Sequence, residues 1–473
     1  MPTPTQRMSR VDTAWLRMDN DVNLMMIVGV WLLQPGITHA ALCERVQDKL
    51  LKYERFLQKV VPDAMGANWV HDDEFDINRH VLHQKLHRAP GQSEREALQS
   101  LVGELANTPL DPDHPLWQFH LIDGYEGGSA LVARVHHCIG DGIALISVMM
   151  SITDGGMDPP KRKKREVPET EGDWLSDAVM KPLTDLATKA IGMYGGGVAK
   201  SVEMLSNPQQ GMAGSIEMAR TGAKVLGDVG AMALMADDSP TMLKGKPIGQ
   251  KIVAWGEPLP LDQVKAIGKA LGCSINDVLL ACVAGAIGAW LREQGDDPAG
   301  KEIRAMVPVN LRPLDQAWKL GNRFGLVPLV LPVGIANPVE RLGVVRARMN
   351  ELKGGYQPVM AFALLALAGL LIKPMQDALL NLFAKKATAV MTNVPGPREA
   401  LQFCGRTLKQ VMFWVPQSGD IGMGVSILSY AGGVQFGLVT DDLLCPDPDD
   451  IIARFRTEFD QLLYLSLMLP WGD

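Results

Sequence analysis

The chain has 473 residues, of which 47% are hydrophobic and 21% charged, and a formal net charge of −7. That length asks for two domains rather than a single core, and that composition excludes a disordered chain. The acidic balance gives nucleic acid no electrostatic footing as a partner.

The chain opens on MPTPTQRMSRVD, which lacks the apolar stretch of a secretory leader. Six cysteines at 43, 138, 273, 282, 404 and 445 form no CxxC pair, so reduced thiols in a cytoplasmic protein are expected. Apolar spacing predicts a helix over 40–61, with Leu42, Val46, Leu50 and Phe56 near one face, and a second over 94–107. Two strands at 116–122 and 130–136 flank the turn-rich DGYEGG and should pair. Pro115 starts the first of them, and Leu116 and Trp117 fit a core or the wall of a tunnel.

Residues 157–173 carry prolines and the run KRKKR followed by acids, which reads as an exposed linker. The same basic run would also suit anionic headgroups or a localisation signal. A Gly- and Ala-rich helical crossover then leads to 236. Beyond it, strands are expected at 250–255, 302–309, 324–333 and 387–391, with a hairpin from 422–430 and 434–440. Helices are expected at 261–271, 275–294, 339–352 and 449–465. The longest candidate for a membrane span, 354–372, is uncharged but begins with the turn-like GGYQP, and what remains falls short of the ~20 residues of a spanning helix. Together these elements give an α+β chain with an N-terminal domain over 1–156, a linker with crossover helices over 157–239, and a C-terminal domain over 240–473.

All nine histidines fall at or before position 137, and two are adjacent, His136 and His137. An apolar strand runs into them and then into Gly140-Asp141-Gly142 and an apolar helix. Alternation puts Leu131, Ala133, Val135 and His137 on one face, which is apolar and so interior. His136 shares the other face with Arg134, expected to be the more polar side. A neutral imidazole at a strand end accepts a proton from an alcohol when its other nitrogen is held. Asp141 either orients that ring or pairs with an arginine and braces the loop. Gly140 and Gly142 permit a tight loop. Adjacent strand residues point apart, which disfavours joint metal binding, and Cys138 should face away from His137. Further on, Ser274 is a natural N-cap, with Asn276 and Asp277 in the first turn of an apolar helix.

The HHCIGDG segment matches the HHxxxDG signature of the CoA-dependent acyltransferase superfamily, and the chain resembles its wax ester synthase/diacylglycerol acyltransferase family. Further matches in order are Asp12 to Met18, Pro115-Leu116-Trp117, Asn276-Asp277, Val307 to Pro313, Gly321 to Gly325 and Thr392 to Pro397. The resemblance implies two chloramphenicol-acetyltransferase-like domains, mixed sheets flanked by helices, with the active site between them. It implies that His137 is the general base, with His136 and Gly142 in support, and that Asp141 pairs with an arginine, Arg304 and Arg312 being the candidates. Asn276 would donate a hydrogen bond to the thioester oxygen, and Asp277 would brace its turn. Acyl-CoA and a fatty alcohol or diacylglycerol would be the substrates, with no metal or redox cofactor. Pro115, Leu116, Trp117, Met360, Leu364 and Leu365 are candidate contacts for the lipid chains, plain core packing being the alternative. A monomer or weak dimer in the cytoplasm, touching the inner membrane or a lipid droplet peripherally, is expected. The rival readings are a condensation-type enzyme acting on carrier-protein thioesters and a non-enzymatic droplet-binding protein.

Overall fold

The computed structural model describes residues 5–63, 66–157, 237–312, 319–353, 376 and 384–469. Most of the expected linker and crossover, and Met360, Leu364 and Leu365, lie outside the described residues.

The first half begins with β1 (Gln6–Arg7), α1 (Arg10–Met18), β2 (Met26–Gln34) and α2 (His39–Asp48). It continues with β3 (Gln58–Asp63), β4 (Gly66–His71), α3 (Ile77–His80), β5 (Val81–Lys85) and α4 (Glu94–Ala106), and closes with β6 (Trp117–Tyr125), β7 (Gly128–His136) and α5 (Gly142–Ser151). The expected helix over 40–61 is cut short. After α2 come two 3₁₀ turns, Leu50–Lys52 and Glu54–Leu57, and then β3. Leu50 and Phe56 still reach the same core as Leu42 and Val46, which is why the spacing looked helical. The Val60-Val61-Pro62 run favours a strand and cannot continue a helix.

In the second half, β8 (Lys251–Trp255), β9 (Leu259–Pro260), α6 (Leu261–Leu271) and α7 (Ile275–Glu293) lead to β10 (Ile303–Asn310) and β11 (Phe324–Leu331). Then follow α8 (Pro338–Lys353), β12 (Ala389–Pro395), β13 (Gln402–Phe403) and β14 (Arg406–Trp414). The chain ends on β15 (Met423–Tyr430), β16 (Gly433–Asp441) and α9 (Pro448–Met468). Helix α7 is capped by the reciprocal Ser274–Asp277 box, and the last turn of α6 is closed by Gly272 at φ 62°. Among the described residues α7 alone is long and apolar enough to cross a membrane, and 78% of that window is buried inside the protein. It packs against α6, α8, α9 and the sheet in the C-terminal core.

Two large mixed sheets result, one ordered β13-β14-β2-β7-β6-β5 and the other β11-β10-β12-β15-β16-β8, with β9 on β16. The division at 240 does not follow them: β13 and β14 belong to the sheet of the first half, where β14 pairs antiparallel with β2. The apolar residues of β14 find their partner there because β2, apolar along nearly its whole length, is a central strand that needs neighbours on both edges.

The face of β7 expected to be polar is buried as well. Ala130 and Val132 pack with α4, β8 and Trp414, and the Arg134 side chain, 1% exposed, is held by Gln118 at 2.8 Å and by the Thr108 carbonyl. Pro115, Leu116 and Trp117 are buried. Trp117 is 0% exposed, donates its indole N–H to the Phe56 carbonyl at 2.9 Å and stacks on His80 at 4.5 Å. It lines neither of the cavities described below, and among the described residues the PLW segment packs in the core. Trp117→Ala is therefore expected to destabilise the fold by about 3–5 kcal/mol, measured as a shift in the urea unfolding midpoint.

Candidate active site

The end of β7 delivers both histidines to one corner. The His137 N–H donates to the Met25 carbonyl at 2.7 Å, which prolongs the β7–β2 pairing by one residue and fixes the direction of the side chain. His136 turns the other way: its Nδ1 accepts the Cys138 N–H at 3.1 Å, and its Nε2 lies 3.6 Å from Asp19 Oδ1. His137 instead faces a cavity between the two sheets, walled by Trp15, Gly142, Asn310, Phe324, Thr392 and Asn393 among others.

The imidazole of His137 is 3% exposed. Trp15 stacks on it with centroids 4.1 Å apart and planes at 12°, and Phe324 leans on it at 5.6 Å. Burial between these rings is the main cause that pulls its pKa down to about 4; its own main chain and the Asn322 side chain pull weakly upward, and His136 downward. The ring is therefore neutral near pH 7. Its Nδ1 is buried and makes no hydrogen bond of normal geometry, and Asn322 Oδ1 is buried in the same condition. With Nδ1 buried, Nε2 is the nitrogen left to meet the cavity.

Asn322 itself is anchored. Its Nδ2 donates to the His137 carbonyl at 2.8 Å and to Asp12 Oδ1 at 2.7 Å, and its main-chain N–H donates to the same oxygen at 3.0 Å. Burial raises the pKa of Asp12, with the Asn322 side chain opposing. Gly321, at φ 99°, brings this segment against the histidine loop: its N–H donates to the Ile139 carbonyl at 2.9 Å. A side chain at that φ would be strained.

Asp141 does not touch His137. It caps α5, Oδ1 accepting the Ala144 N–H at 2.9 Å, while Oδ2 accepts from Arg312 Nη2 and from the Arg323 N–H, both at 2.9 Å. Arg312 also donates to the Gly321 carbonyl at 2.6 Å. Of the two candidate arginines Arg312 is the partner, and Arg304 lies elsewhere, donating to the Lys386 carbonyl. Gly142 follows at the first turn of α5 and lines the cavity. Cys138 is buried, and burial raises its thiol well above the ordinary value, which leaves no thiolate near the histidines.

Asn276 stands differently from the sequence expectation. It is exposed and does not line the cavity. Two asparagines stand on the wall: Asn310, whose side chain is tied to the Arg312 main chain, and Asn393, whose Nδ2 donates to Asn276 Oδ1 at 3.0 Å. Asp277 is buried, with Oδ2 accepting the Ser274 N–H at 2.8 Å. Trp15, Asn322, Phe324 and Asn393 lay in recurrent motifs of the sequence, but no residue type or spacing gave them a place at the site.

Residues 8–279 match the family model of the wax ester synthase/diacylglycerol acyltransferase catalytic domain, and residues 320–463 match the WS/DGAT C-terminal domain. A Mycobacterium tuberculosis protein named "Probable diacyglycerol O-acyltransferase tgs1" is 27% identical over 472 residues, spanning 97% of this chain and 96% of its own. Among solved structures, the wax ester synthase/diacylglycerol acyltransferase from Marinobacter aquaeolei VT8 superposes with a TM-score of 0.66 at 20% identity, over 98% of this chain and 100% of that one. The first condensation domain of the calcium-dependent antibiotic synthetase does so at 0.57 and 15%, over 99% and 97%. These likenesses establish the two-domain fold of mixed sheets that the motifs implied.

Removing Arg312 strands a buried carboxylate. Arg312→Ala is expected to cost about 3–5 kcal/mol of stability, read from guanidinium unfolding at neutral pH.

Proposed function

Because the chain belongs to the wax ester synthase/diacylglycerol acyltransferase family, we propose that it moves an acyl group from acyl-CoA to the hydroxyl of a fatty alcohol or diacylglycerol, with His137 as the base. The observation that carries this is a neutral imidazole, buried between Trp15 and Phe324, on the wall of an apolar cavity between the sheets. Nε2 takes the proton of the acceptor hydroxyl, and the oxygen attacks the thioester carbon. The carbonyl π pair moves onto its oxygen. Collapse breaks the C–S bond, and the imidazolium returns the proton to the CoA thiolate. Ester and CoA leave, with no covalent enzyme intermediate.

The developing oxyanion needs a donor. Asn310 and Asn393 both meet the cavity; Asn310 bonds the Arg312 main chain through both ends of its amide, which favours Asn393, whose second amide hydrogen has no partner among the described residues. Asn276 then acts by orienting Asn393 and not by touching substrate. The family models, which together cover 8–279 and 320–463, weigh against a carrier-protein condensation enzyme. Both walls of the cavity come from one chain, which supports a monomer or weak dimer. The exposed apolar end of α9, with Tyr464 at 63% and Met468 at 79%, supports peripheral contact with a membrane or droplet surface from the cytoplasm.

His137→Ala should remove acceptor-dependent CoA release from palmitoyl-CoA and hexadecanol while circular dichroism stays native. Release that survives would dismiss His137 as the base. The base form exists above its pKa, so with a pKa of about 4 against the ordinary 6.5 kcat/KM should stay level down to about pH 6 and fall only near the lower value. An acid limb centred at the ordinary value would contradict the burial argument.

Asn393→Ala should lower kcat by roughly 10²–10³-fold with little change in KM. Asn276→Ala should cause a smaller loss of the same kind. Equal KM increases in both variants would instead mark a binding role.

A further inference from the structure

A second, smaller cavity lies under α5. Its floor is the face of the N-terminal sheet where β14, β2 and β7 run side by side, and the 396–401 segment after β12 closes it from above. The floor is low because small residues meet there: Gly29 and Ala133 are register partners on β2 and β7. The walls are aliphatic, with Ile27, Val135, Ile146 and Met149 among them. The one hydroxyl among the described lining residues, on Tyr430, is engaged, donating to the Leu408 carbonyl at 2.7 Å and accepting the Leu401 N–H at 2.8 Å. A polar ligand would find little to bond to here, whereas a hydrocarbon would lose water from its whole length.

This slot abuts the catalytic cavity: Gly142 and Phe413 line both. Gly142 has no positive φ, so the backbone does not demand glycine at this position, and a Cβ built on it would meet no atom within 4 Å. The missing side chain leaves a doorway open, five residues along the chain from His137.

We propose that the slot holds the single unbranched tail of the acyl donor, threaded past Gly142 so that the thioester stays beside His137. The assignment rests on the acyl-transfer reading above. It favours the donor because one chain suits one narrow slot whichever acceptor is used. The larger catalytic cavity is left for the acceptor, which carries two chains when it is a diacylglycerol.

The test is equilibrium binding of butyryl-CoA and palmitoyl-CoA to the wild type, to Ala133→Leu, which raises the floor, and to Ile146→Phe, which fills the slot from α5. Thermal melts identify any variant that fails to fold, and each variant can carry the test alone. Excluding even two methylenes costs on the order of tenfold in affinity. The preference for palmitoyl-CoA over butyryl-CoA should therefore fall by about that factor or more in whichever variant folds. An unchanged preference overturns the proposal. So does an unchanged donor preference accompanied by a raised KM for hexadecanol but not for butanol, which would give the slot to the acceptor. Because donor binding is measured without turnover, loss of acyl transfer by the wild type would count against the reaction and leave the slot to be decided by the binding data.

Discussion

The site depends on one buried carboxylate. Asp141 starts α5, binds the guanidinium of Arg312 and takes the main-chain N–H of Arg323. Those partners lie more than 170 residues further along the chain, so this side chain ties the histidine loop to the edge of the second sheet. The ion pair is buried on both sides. Such pairs are poor sources of net stability but strong selectors of one arrangement over another. Here the arrangement selected brings Gly321 and Asn322 against the loop, and Asn322 against the His137 carbonyl. Trp15 and the Asp12 that anchors Asn322 come from α1, so three distant stretches of chain hold one imidazole.

Burying the proposed base so deeply would have a chemical consequence. A pKa of about 4 keeps His137 neutral and so able to accept a proton, but it also describes a weak base in the empty site. The weakness applies to the ground state only. In the proposed reaction negative charge grows on the thioester oxygen as the proton moves, inside apolar walls where attraction between opposite charges is far stronger than in water. The imidazolium gains its partner as it forms, and its pKa rises along the reaction. The arrangement thus favours the charge-separated transition state over the resting state, which is the condition for raising kcat and not merely tightening binding.

Much of this was legible in the sequence. Alternation along 131–137 assigned the inward direction to His137, although one premise was wrong: the opposite face is also buried, under α4 and the edge strand of the other sheet. A pattern of faces reports direction and cannot report that a second layer covers the far side. Ser274 and Asp277 were readable as a helix start because capping is local. The choice between Arg304 and Arg312 was not readable, since both end up near strand β10 and only the fold decides which one meets Asp141. Asn393 had no place in the sequence reading, which gave Asn276 a role, for the same reason. Their motifs are 117 residues apart, and nothing local says which amide stands in front.

The strand that escaped the sequence reading also limits how the site opens. β14 leaves the second half, pairs with β2 over most of its length, and returns to β15. Phe413 on β14 lines the catalytic cavity together with Asn393 on β12. Swinging one sheet away from the other would strain the two connections that join β14, held in the first sheet by its ladder with β2, to the second. A rigid-body hinge is therefore a poor route for long apolar substrates. Local gaps serve better, and the gap that the structure provides is the side chain that Gly142 lacks, at the place where the two cavities meet.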